Sequence, residues 1–236
     1  MKSLLLSAAS LLALSTTAQA SDLLIATGAG YRKPVTELME AFNKETGLTV
    51  ESSFGNMQQV RAQSEQNPDI AAIIGDRFFL EPMGITQQFV NISQGALMLA
   101  VPKGKTIDSI QDLQQPSYAR IAIGDAKKTV YGRAATTCME REKIQAEGRS
   151  IEVAMLPQVS TYLLNGEVDA GFINRSEALA HKDKLGTILP MPAQCHDPID
   201  LSLAVLKDRP ASPALQSWTR FLGSDKAKSI LERHGL

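Results

Sequence analysis

The chain has 236 residues, with 24 Lys and Arg against 25 Asp and Glu for a formal net charge of −1. That length accommodates one large domain or two lobes of roughly 100 residues each. The even charge balance, with no basic stripe, excludes nucleic acid as a partner and requires that any anionic ligand be held by local features.

Lys2, the apolar run from Leu4 to Leu14 and the small-residue site Ala18-Gln19-Ala20 follow the order of a secretory signal peptide cleaved ahead of Ser21. The run is too short to cross a bilayer, and no later apolar stretch reaches the ~18 residues a span needs. Residues 1–20 are therefore set aside, and the rest is expected to be a soluble periplasmic protein without a lipid tether.

From Asp22 onward the sequence alternates short apolar runs with helical segments, the rhythm of an α/β protein. Asp22 to Ala26 predicts a strand, followed by the small-residue turn Thr27-Gly28-Ala29-Gly30. Pro34 opens a helix in which Val35, Leu38, Met39 and Phe42 share one face, and Gly47 caps it. Leu48 to Phe54 is a second strand, Gly55-Asn56 a turn, and Met57 to Gln66 a helix. Ile70 to Ile74 has the continuous apolar character of a buried parallel strand. Ala96 to Val101 is a strand, Ile107 to Leu113 a short helix, and Ala119 to Ile123 a strand. A helix is expected from near Tyr131 past Cys138, another over Gln158 to Asn165, a strand over Ala170 to Ile173, and a short helix over Ser176 to His181. Thr187 to Leu189 and Leu201 to Leu206 complete the strands, and Pro213 to Leu222 and Asp225 to His234 the helices.

The turns carry the functional information. In open α/β sheets ligands sit beyond the carboxyl ends of strands, where helix N-termini offer free N–H groups. Gly28-Ala29-Gly30, Gly55-Asn56-Met57 and Thr129-Val130-Tyr131-Gly132 are such turns, although glycine is also the default residue of any tight turn. Gly28 and Gly30 do not open a dinucleotide fingerprint, because its third glycine would fall at Lys33, and the chain has no phosphate-binding P-loop. His181, His196 and His234 stand outside any metal or nucleophile motif. Basic residues near the turns, notably Arg133 and Arg175, are candidate anion clamps. Cys138 and Cys195 permit one disulfide in an oxidising compartment. Their spacing with His196 matches no metal site, and no cofactor is called for.

The order of several short segments resembles the periplasmic molybdate-binding proteins of ABC transporters. Leu24-Ile25-Ala26-Thr27-Gly28-Ala29-Gly30 with the helix end Phe42-Asn43-Lys44-Glu45-Thr46-Gly47 is similar to that family's first βα unit. Val50 to Asn56 with Val60-Arg61 is similar to its second, and Leu99 to Gly104 to its crossover strand. Ile121 to Asp125 with Tyr131-Gly132-Arg133, Val168 to Asn174, and Phe221 to Leu236 complete the resemblance.

It implies two α/β lobes, each a mixed, mostly parallel sheet flanked by helices, with the ligand cleft between them. Lobe one would be 21–100 plus 201–236 and lobe two 101–200, with crossovers near Val101 and Asp200 as the hinge. The implied function is capture of a small ligand, by family default molybdate or a related oxyanion, by a monomer that delivers it to an inner-membrane permease without catalysis. Alternatives on the same fold are a different anion or organic ligand, or a ligand-sensing subunit for a membrane receptor.

The family holds its oxyanion with serine hydroxyls, backbone N–H groups and a tyrosine. The first serine matches Gly30, beside Ala29, and the second matches Asn56 or Met57. Backbone donors match Tyr131 and Val159, and the tyrosine matches Asn174. Three of these five positions depart from the family residue. Each lost hydrogen bond to a charged ligand costs roughly 1.5–3 kcal/mol, a tenfold to hundredfold loss of affinity.

Overall fold

The computed structural model describes residues 21–209 and 212–236; the signal-peptide expectation lies outside them. Among the described residues ten strands form two five-stranded sheets. In chain order the first lobe begins with β1 (Leu23–Gly28), α1 (Arg32–Thr46), β2 (Val50–Gly55), α2 (Met57–Gln66), β3 (Ile70–Asp76), α3 (Arg77–Leu80) and β4 (Thr86–Gln94). The second contains β5 (Leu97–Pro102), β6 (Ile121–Gly124), α4 (Val130–Arg141), β7 (Ser150–Val153), α5 (Leu156–Asn165), β8 (Ala170–Asn174), α6 (Arg175–His181) and β9 (Leu185–Pro190). The chain returns to the first lobe with β10 (Asp200–Leu206), α7 (Pro213–Leu222) and α8 (Asp225–Arg233).

Sheet one has the order β2-β1-β3-β10-β4 and sheet two the order β7-β6-β8-β5-β9. β1 runs parallel to β2 and β3, and β6 parallel to β7 and β8. β10 and β5, the strands that follow the two crossovers, enter antiparallel to their neighbours, so each sheet is mixed. The first crossover falls between Gln94 and Leu97, not near Val101. β5 bonds to β8 and β9 along its length and so belongs to the second sheet from Leu97 onward. The two crossovers meet where the Gly95 N–H donates to the Ile199 carbonyl at 2.8 Å.

α1 buries Val35, Leu38 and Phe42, and ends at Gly47 in the left-handed region, φ 73°, where a side chain is penalised. Phe42, Trp218 and Phe221 pack edge-on or stacked within 5.2–5.8 Å, joining α1 to α7. β3, Ile-Ala-Ala-Ile-Ile-Gly-Asp, is buried at every position, as a strand covered on both faces must be. Cys138 of α4 is disulfide-bonded to Cys195. Among the described residues no helix is long and apolar enough to cross a membrane.

Candidate functional site

A narrow cleft of about 20 Å³ lies between the lobes and is walled by the starts of four helices. Lobe one contributes Gly28 to Tyr31, a single 3-10 turn leading into α1, and Gly55 to Met57 at the start of α2. Lobe two contributes Lys128 to Tyr131 at the start of α4, and Met155-Leu156 at the start of α5. Caps fix the longer helices. The Asn56 side chain accepts from the Gln59 N–H at 3.0 Å while the Gln59 side chain accepts from the Asn56 N–H at 2.9 Å. Thr129 Oγ1 accepts from the Gly132 N–H at 3.1 Å, and Gln158 Oε1 from the Met155 N–H at 3.1 Å. The caps of α2 and α4 each use one donor of the first turn and leave others, which precede the first intrahelical bond, at the cleft wall.

No carboxylate lines the cleft among the described residues. Its one formal cation, Lys128, pairs with Asp125 at 2.5 Å, and that ammonium holds the Asp125 carboxyl below the usual carboxylate range. The field in the cleft is therefore set by helix termini, whose partial positive charges favour an anion.

The lobes are closed on one another. The Met57 N–H donates to the Lys128 carbonyl at 2.9 Å, and the Asn56 side-chain amide to the Ala154 carbonyl at 3.3 Å. Asn174 Nδ2 donates to the Gly30 carbonyl at 2.7 Å. Lys33 of α1 reaches the buried Glu177 of α6 at 2.8 Å and His181 at 3.4 Å. His181 is pushed below the usual histidine value by burial and then by the Lys33 charge.

Ala29, Gly30, Asn56, Met57 and Tyr131 are thus brought together at one cleft. Four other predicted residues are not. Val159 is fully buried inside α5. The helix begins at Leu156 rather than Gln158, so Met155 and Leu156 occupy the wall instead. Pro157, in the first turn, was the available signal for that earlier start. Asn174 caps α6, accepting from the Glu177 N–H at 2.7 Å, and spends its amide on Gly30. Arg175 packs its stem beside Gly235 at the C-terminus. Arg133 is held by Asp76 at 3.5 Å and Asp197 at 3.2 Å, and its guanidinium lies 3.9 Å from the Phe78 ring centroid. Asp76 and Phe78 were not singled out from sequence; an aspartate ending a buried strand is the signal that could have found the first.

Asn174→Ala should remove both the cap and the cross-lobe bond. A loss of about 1–2 kcal/mol in urea unfolding is expected, the range for a deleted helix cap; a loss below about 0.5 kcal/mol would show that neither bond matters.

Residues 23–236 match the family described as bacterial extracellular solute-binding protein. A Haemophilus influenzae protein is 31% identical over 186 residues, 74% of each chain. The Azotobacter vinelandii molybdate-binding protein is 23% identical over 234 residues, 94% of this chain and 92% of its own. A solved structure of the A. vinelandii periplasmic molybdate-binding protein superposes with a TM-score of 0.81 at 21% identity, covering 90% of this chain and 97% of that one. A sulfate-binding protein of Mycobacterium tuberculosis superposes at 0.77 with 12% identity, covering 92% and 86%. Both share the fold of two mixed sheets joined at a double crossover. By this match, which spans nearly all of the chain after residue 22, the protein belongs to the bacterial extracellular solute-binding protein family.

Proposed function

We propose that the chain is the periplasmic capture component of an ABC transporter for a small tetrahedral oxyanion of the molybdate class. It is exported by a cleaved signal peptide, works as a monomer, uses no cofactor and performs no catalysis. The observation that carries this reading is the convergence of four helix starts on one carboxylate-free cleft between two lobes. Helix N-termini bind anions through backbone N–H groups and need no formal charge. The likeness to proteins named for molybdate and sulfate binding supports an oxyanion.

Capture proceeds by closure. An open clamp presents the starts of α1 and α2 on one lobe and of α4 and α5 on the other. An anion held between them draws the lobes together, and the Met57 N–H and Asn56 amide, which face carbonyls of lobe two in the closed form, can turn to ligand oxygens.

A second reading, a small organic anion, has one observation in its favour. Met57, Met155 and Leu156 give the cleft apolar walls, and a Cβ on Gly30 would meet Leu156 Cδ2 at 3.2 Å. A serine there would crowd that leucine, so the family's hydroxyl contact is replaced by apolar surface.

Calorimetry with molybdate, tungstate, sulfate, phosphate and small carboxylates separates the two. Submicromolar molybdate binding, about −8 kcal/mol or stronger, with tungstate competing, is the expected result. A response to carboxylates alone would replace the first reading with the second.

A further inference from the structure

We propose that Arg133 is a positioning residue for ligand capture: it carries a cation from lobe two onto the buried Asp76 carboxylate of lobe one, and so sets how readily the clamp closes without touching ligand. The proposal concerns the closure on which the reading above rests.

Arg133 lies in α4, two residues past the cleft-lining Tyr131, and does not itself line the cleft. Its side chain is 11% exposed and that of Asp76 is 1% exposed, with Arg133 Nη2 3.5 Å from Asp76 Oδ1. Asp76 ends β3 and accepts from the Asp200 N–H at 2.9 Å through its other oxygen, which ties it to the return crossover. On the far side, Arg133 Nη1 meets Asp197 at 3.2 Å, and Asp197 is itself held by Arg141 at 2.5 Å. Phe78 of lobe one lies 3.9 Å from the guanidinium. One side chain of lobe two therefore bonds to lobe two's own linker and reaches an acid and an aromatic face of lobe one.

Such an arrangement matters only when the lobes are together. Opening would draw α4 away from β3 and return Asp76 to water; closing dehydrates it. A dehydrated carboxylate is tolerable when a cation accompanies it, and strongly unfavourable when the cation is removed. The groups facing Asp76 are Arg133 and Tyr131 from α4, Tyr31 from the turn after β1, and Asp200 from β10. Both tyrosine hydroxyls, Asp76 Oδ1, and Arg133 Nε and Nη2 are buried without a hydrogen-bond partner. Arg133 is thus the only cation among these groups. Burial lifts the Asp76 carboxyl to about 6, against 3.8 for an ordinary aspartate, with Arg133 pulling it back down.

A carboxyl whose value is raised on closure makes closing easier when protonated and harder when ionised, so the advantage is lost as pH rises through about 6. In wild type Arg133 moderates that loss. In Arg133→Gln it has no counterweight.

The test measures closure by small-angle X-ray scattering, without ligand and with molybdate, and affinity for molybdate by calorimetry, at pH 5.5 and 8. Arg133→Gln should be more open than wild type at pH 8 and bind molybdate at least about thirtyfold more weakly, the scale for stranding a buried charge. Both defects should shrink at pH 5.5, and Asp76→Asn combined with Arg133→Gln should restore closure at pH 8, because no carboxylate is left to dehydrate. A merely structural arginine would show neither the pH recovery nor the second-site rescue. Arg133→Lys keeps the charge and should retain most of the closure, which covers the case of a misfolded glutamine variant. If Arg133→Gln closes as wild type does at pH 8, or Asp76→Asn fails to rescue it, the proposal is overturned. If wild type ignores molybdate while the scattering differences appear, the oxyanion reading fails and the role of Arg133 stands.

Discussion

Replacing Cys138 and Cys195 together by alanine should lower the unfolding free energy by about 4 kcal/mol, the chain-entropy scale for a loop of this size. The two cysteines are 57 residues apart in sequence, and both are buried. The bond joins α4, which carries Tyr131 and Arg133, to the segment that leads into β10 and the second crossover. Neighbouring contacts are weaker versions of the same tie: Arg141 donates to the Gln194 carbonyl at 3.1 Å and pairs with Asp197. Without the covalent link these half-exposed pairs contribute little, since solvent screens them. For a chain of this size the expected fall in Tm is about 8–16 °C, read by differential scanning calorimetry. A shift of a degree or two would mean that the unfolded chain is not appreciably restricted by the bond.

How much of this was legible beforehand depended on how sharply each element is bounded. α1 announced itself through Pro34, one apolar stripe and Gly47, and the structure adds only a 3-10 turn ahead of it. β3, buried throughout, could only be a covered strand. β4 and β7 carry no strand signal in the sequence. Both lie at sheet edges, and residues such as Gln87, Gln88 and Glu152 are polar and exposed, so neither a clean alternation nor an apolar run marks them. The position of the first crossover is not legible in the sequence, because a buried strand looks the same in either sheet; only the pairing of β5 with β8 and β9 assigns it.

The site divides along the same line. Turns that follow strands revealed Gly28 to Gly30, Asn56-Met57 and Thr129 to Tyr131, since local sequence sets a helix start. Cross-lobe partners have no local signature. That Asn174 would reach Gly30, or Arg133 reach Asp76, depends on residues 144 and 57 positions apart meeting in a closed clamp. A resemblance that assigned Asn174 to a ligand-contacting tyrosine could supply a position but not what a shorter amide does there.

Gly132→Ala should be more damaging to binding than any substitution of a cleft-lining side chain. Gly132 is in the first turn of α4, where its N–H meets Thr129 Oγ1. A Cβ there would lie 2.1 Å from the Gly124 carbonyl oxygen and 2.3 Å from Thr129 Oγ1. The first obstacle is backbone at the end of β6, which cannot rotate aside, and the second is the helix cap itself. Gly124 is equally constrained, since a Cβ on it would come within 2.2 Å of the same threonine oxygen. The two glycines let a helix start rest directly on a strand end, the close approach that brings the Val130 and Tyr131 N–H groups to the cleft. An added methyl must push α4 off β6, at a cost of about 3 kcal/mol or more for an unyielding overpacked contact. The displacement carries Tyr131 and Arg133 with it, so molybdate binding should disappear even at temperatures where the variant stays folded. Gly223→Ala is the matched control. Its φ is −86° and its nearest neighbour would be Arg220 O at 3.5 Å, so alanine fits there without strain. Thermal melts and molybdate calorimetry on the two variants side by side check this. If Gly132→Ala kept wild-type stability and affinity, the helix start would not need its present seat on the strand, and the four-helix account of the cleft would lose one of its walls.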